Sequence, residues 1–155
     1  MGFKRYGFAR EVGLIARDIS EAASYFAFNR LPELYAGIKR EQGTFPVQYL
    51  GANVPQAWAA GSVFHLLQAI LGLHADAHKK MLYVNPVLPD WLPEITLHNL
   101  RVGTTTVTIR FWREKDQSRY DVLSSSGEIQ VKAGIATRFD KPIETVGGAA
   151  SVNTS

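Results

Sequence analysis

The chain has 155 residues, 46% of them hydrophobic and 20% charged, a size and composition that can bury a core and that argue against disorder. Its net charge of +3 is spread over 17 basic and 14 acidic residues with no long basic run and no nucleic-acid-binding motif, which argues against a nucleic-acid partner. Cysteine is absent, so disulfides, thiolate metal sites and a cysteine nucleophile are excluded.

The first residues, Met1 to Gly7, lack the apolar core and cleavage site of a signal peptide, and charge recurs at Arg10, Glu11, Arg17 and Asp18. A cytoplasmic location is the expectation. Residues 3–6 read as the last turn of a helix, set off by Gly7. Over residues 8–26 the apolar Val12, Ile15, Ala16, Ile19, Ala22 and Ala23 recur at steps of three and four, which predicts an amphipathic helix. Residues 29–54 carry Pro32, Gly37, Gly43, Pro46, Gly51 and Asn53, a density of chain breakers that predicts a long ordered loop, a kind of segment that usually serves function.

Pro55 then suits the first position of a second helix, with Asn53 as a cap candidate. Trp58, Gly61, Ser62, His65, Leu66, Ala69 and Leu73 continue that helix. Its apolar run is broken by His65 and Gln68, so it fits a buried helix better than a membrane span. Pro86, Pro89 and Pro93 end helical structure, and residues 96–100, 106–111, 120–123 and 128–131 alternate as antiparallel strands do. The segment ending in Gly147-Gly148-Ala149-Ala150-Ser151 is small and polar, and residues 134–155 are expected to be a disordered tail.

Chemistry concentrates in Leu31-Pro32-Glu33-Leu34-Tyr35 and in Pro55-Gln56-Ala57-Trp58. A carboxylate near an aromatic ring suits a glycoside, since the acid group activates water while the flat ring packs on a sugar's apolar face. Each residue also has a plainer reading: Glu33 as a first-turn helix carboxylate, Tyr35 as a loop anchor, Trp58 as core, Gln56 as a partner of loop backbone, and Arg40 as a solvated surface charge or a partner of Glu33. His74 and His78 stand four apart as two zinc ligands would on a helix, yet nothing supplies the remaining ligands.

Residues 30–37, 55–61, 66–73 and 86–92 together carry a family resemblance. The chain resembles the C-terminal part of bacterial amylo-α-1,6-glucosidases, the glycogen-debranching-enzyme-like glycoside hydrolases built on an (α/α)6 toroid of six helical hairpins. The resemblance implies a mainly α chain with a β module: residues 1–80 as the last helices and the active-site loop of the toroid, and residues 81–133 as a small antiparallel β module. It places the general base at Glu33 and sugar-binding groups at Tyr35, Arg40, Gln56 and Trp58, with no cofactor and no metal. The implied reaction is inverting hydrolysis of α-glucosidic bonds in a branched α-glucan or oligosaccharide. The general acid belongs to earlier helices in that family, so the chain is expected to be a C-terminal fragment, inactive alone, that pairs with upstream toroid helices in the same or another chain. The alternative is a non-catalytic carbohydrate-binding or interaction domain.

Overall fold

The computed structural model describes residues 2–41 and 43–134. Helix α1 (Gly2–Arg5) is one turn, and α2 (Ala9–Ser24) follows Gly7. Helix α2 buries Val12, Gly13, Ala16, Ala22 and Ala23 but leaves Leu14 and Ile15 exposed, so the expected apolar stripe is narrower than its sequence suggested. A 3-10 turn at Ala27–Asn29 leads into an irregular segment, and α3 (Ala57–Leu71) comes next.

Six strands follow among the described residues. β1 (His74–Asp76) pairs antiparallel with β2 (Met81–Val84), and β2 pairs in parallel with β6 (Gln130–Ala133). β3 (Glu94–Val102), β4 (Thr105–Glu114) and β5 (Gln117–Ser125) form a separate antiparallel meander. Its side-chain alternation is the physical reason: Val107, Ile109 and Phe111 on β4 all face the core while Arg110 between them faces out.

Two expectations are corrected. The chain is not mainly α and is not the helical end of a toroid: 28% of the described residues are helix and 31% strand, in three helices and two sheets. The strands of the meander are longer than the sequence suggested, at nine, ten and nine residues, and two further strands follow α3. Gly72 takes a left-handed conformation (φ 65°), which ends the helix, and His74 to Asp76 then extend as a strand instead of continuing it. The last predicted strand also shifts. It forms at Gln130–Ala133 and joins β2 in parallel, not the antiparallel meander.

One core spans the helices and both sheets. Val12 and Ala16 of α2 and Ala69, Ile70 and Leu71 of α3 pack with Leu82, Val84, Leu88, Val102, Val107, Ile109 and Phe111. At about 25 cal/mol for each Å² of apolar surface removed from water, this shared cluster is the main favourable term holding the parts together. Gly13 lets α2 approach the connecting segment closely, since a Cβ there would lie 3.0 Å from that of Pro89, and Trp91 Nε1 donates to the Gly13 carbonyl at 3.1 Å. Across the boundary expected between residues 80 and 81, the packing is continuous. Apart from Gly134, the expected tail at 134–155 lies outside the described residues. No helix among the described residues is long and apolar enough to cross a membrane.

Candidate functional site

The segment between Arg30 and Gln56 folds back on itself. Tyr35 and Gln48 form an isolated antiparallel bridge, Ala36 N donates to Val47 O at 2.8 Å, and Tyr49 N donates to Leu34 O at 3.0 Å. At the mouth of this excursion, Glu33 N donates to Asn53 O at 2.9 Å, so residues twenty apart in sequence become neighbours. Leu31 and Pro32 are buried just before it, Leu31 against Ala23 and Ala59, and they anchor Glu33 to the α2 and α3 helices.

The Glu33 carboxylate accepts from Asn53 through one oxygen. Asn53 Nδ2 donates to Oε2 at 3.0 Å, and Asn53 N donates to the same oxygen at 3.3 Å. These hydrogen bonds, the backbone one foremost, hold the carboxyl below its ordinary value of 4.5, while the small loss of hydration acts the other way. Gln56 and Trp58 make no hydrogen bond to Glu33 within normal geometry, yet their side chains lie near enough to add smaller contributions that also favour the ionised form. All four groups acting on the carboxylate are neutral.

Gln56 takes the cap position expected of Asn53. Its Oε1 accepts from Ala57 N at 2.9 Å, satisfying one of the free N–H groups at the start of α3. Pro55 therefore stands before the helix and not in its first turn. Trp58, on that first turn, is 59% exposed, so its ring belongs to the surface and not to the core. Along the N-terminal part of α3 Val63 and Phe64 are also exposed and Ala59 is buried, whereas the sequence predicted a helix buried on most sides.

Tyr35 and Arg40 sit elsewhere. The Tyr35 ring packs edge-on against Phe26, with centroids 6.2 Å apart, and its hydroxyl is buried without a partner among the described residues. Burial pushes that phenol up, and the Arg40 charge opposes the shift in smaller measure. Arg40 pairs with Glu21 at 2.7 Å, donates to Thr44 O at 2.7 Å and lies over the Tyr25 ring at 5.2 Å. Tyr35 and Arg40 line a pocket of about 270 Å³ with Ile19 and Pro46. Arg40 is therefore committed to Glu21, and the pairing with Glu33 that its sequence position allowed is not made.

Of the five residues singled out from the sequence, the fold brings Glu33, Gln56 and Trp58 together and sets Tyr35 and Arg40 in a second cluster. Asn53 is the site residue that sequence reasoning assigned to a different task. Its place ahead of a helix is the signal for a cap, and nothing local to it points to a glutamate twenty residues earlier. His74 lies on β1 and His78 in the turn after it, so their spacing is not that of one helix face.

Comparison with protein-family models, with curated proteins and with solved structures gives no match to the chain. The chemistry must be argued from the site. An ionised carboxylate held by neutral donors accepts a proton or a hydroxyl hydrogen bond, and beside it stand an amide and an exposed indole. This set suits an uncharged, hydroxyl-bearing ligand with an apolar face.

Proposed function

We propose that the chain supplies the base side of a site that hydrolyses an α-glucosidic bond with inversion, in a branched α-glucan or a related oligosaccharide. Glu33 is the general base, Gln56 a hydroxyl ligand and Trp58 the surface on which a glucose ring rests. The observation that carries this reading is the geometry of Glu33, held by two hydrogen bonds from Asn53 without any cation, beside an exposed tryptophan. A base must be deprotonated before it can act, and a carboxyl below its ordinary range is so at neutral pH. The motif likeness to amylo-α-1,6-glucosidases points to the same residue.

In the reaction, Glu33 takes a proton from water, the water oxygen bonds to the anomeric carbon, and the glycosidic bond breaks toward the leaving oxygen. That oxygen takes its proton from a carboxylic acid about 6.5–9.5 Å from the base, as inversion requires. None of the groups acting on Glu33 is a second carboxyl. The acid is therefore a residue other than those that act on Glu33, in the same chain or a partner.

The lack of a second carboxyl among these groups also favours one other reading, a surface that binds glucan without cleaving it. Glucose release from a branched limit dextrin separates the two, measured on the chain alone and with whatever its gene encodes upstream. The catalytic reading expects release in the longer protein and its loss in Glu33→Gln. Tight binding of the dextrin with no release in either protein would leave only the binding surface. Release that survives Glu33→Gln would remove Glu33 from the chemistry.

A further inference from the structure

We infer that Asn53 is the positioning residue of this site: by filling Oε2 of Glu33 with two donors, it leaves Oε1 as the oxygen that takes the proton from the attacking water. The inference rests on Glu33 being the base. Both hydrogen bonds from Asn53, the Nδ2 one at 3.0 Å and the backbone one at 3.3 Å, end on Oε2. A carboxylate oxygen offers about two lone-pair directions, so two donors occupy it. Among the described residues no hydrogen bond within normal geometry falls on Oε1.

A third bond, from Glu33 N to Asn53 O at 2.9 Å, ties the two backbones together, so the carboxylate is held from its own main chain as well as from its tip. The chemical type of the partner matters. An arginine would grip a carboxylate with parallel bonds to both oxygens and cover the reacting atom. Arg40, whose sequence position allowed a pairing with Glu33, is engaged by Glu21 instead. An asparagine grips one oxygen, fixes the plane of the group and leaves the other oxygen open.

The test follows the Glu33 carboxyl carbon by ¹³C NMR through an acid titration of the whole chain, in the wild type, Asn53→Ala and Asn53→Asp. The wild type is expected to titrate below the ordinary glutamate value. In Asn53→Ala the titration moves up part of the way, because the backbone donor remains. Asn53→Asp keeps the shape of the side chain but sets a second carboxyl against Oε2, so the pair is expected to titrate in two steps with the upper one above the ordinary range.

A purely structural asparagine would change the melting temperature of these variants without moving Glu33. A Glu33 titration unmoved in both variants, or one at the ordinary value in the wild type, would overturn the inference. The isosteric Asp variant keeps the test intact where the Ala variant folds poorly. This readout needs no turnover, so its failure is distinct from failure of the base assignment, which is read from glucose release by Glu33→Gln. Where turnover is measurable, Asn53→Ala is expected to move the acid limb of the rate profile to higher pH.

Discussion

Glu33 and Lys4 show how local contacts set charge in opposite senses. Hydrogen bonds from Asn53 stabilise the Glu33 anion, so the group gives up its charge only below the ordinary glutamate value of 4.5. A base is lost when protonated, and the acid limb of glucose release is therefore expected below pH 4.5; a pH–rate profile checks it. Lys4 is the reverse case. Its ammonium is buried against the end of α3, donating to Ile70 O at 2.8 Å and to Asn85 O, and burial lowers it from 10.5 to about 8. Between about pH 8 and pH 10.5 the unfolded chain still holds the proton that the folded chain has shed, so raising the pH through that window stabilises the fold. The melting temperature of the wild type is expected to climb relative to Lys4→Met across this window, and to run parallel to it below pH 8.

Among the elements, α3 and the excursion before it decide where the site lies. Gly72 ends α3 in a left-handed turn where a Cβ would lie 2.6 Å from Asn85 O. Gly72→Ala therefore combines backbone strain of about 1–3 kcal/mol with a collision against main chain, and a clear drop in the urea midpoint is expected. The excursion shows how much the sequence could tell. Its punctuating residues marked a long ordered segment ahead of a helix, and Glu33, Gln56 and Trp58 were legible as one neighbourhood. Its internal pairing was not legible, because Tyr35 opposite Gln48 and Glu33 opposite Asn53 are contacts between distant residues that no local pattern encodes. The meander was legible from alternation along residues 106–111, whereas the parallel pairing of β6 with β2 joins segments almost fifty residues apart. The fold class was misread for a related reason. Residues 74–76 have no strong strand pattern, and they extend as β1 through their pairing with β2.

At the scale of the whole molecule, one core joins α2 and α3 to both sheets, and Phe111 and Leu71 at its centre have no solvent exposure. Phe111→Ala is expected to cost about 3–5 kcal/mol. Because the core is shared, helix content by circular dichroism and the fluorescence of the sheet tryptophan Trp112 should be lost in a single coincident denaturant transition. Two separate transitions would instead divide the chain near residue 80. The surface carries the complementary lesson. Trp58 and Phe64 on α3 and Leu34 and Leu50 on the excursion are exposed apolar side chains, as are Phe28, Ile38 and Phe45 beside them in sequence. A sugar-stacking role accounts for Trp58 alone among them.

In the proposed site a glucan meets the chain at Glu33, Gln56 and Trp58, next to Asn53. The most direct measurement is a titration of the ¹⁵N-labelled chain with an isomaltosyl-branched glucose oligosaccharide, reading amide and indole shifts in the wild type, Trp58→Ala and Glu33→Gln. The account predicts shifts centred on Asn53, Gln56 and the Trp58 indole, lost in Trp58→Ala and retained in Glu33→Gln, where the uncharged isostere still binds hydroxyls. Shifts centred on the Tyr35 and Arg40 pocket, or none at any concentration of the oligosaccharide, would contradict it.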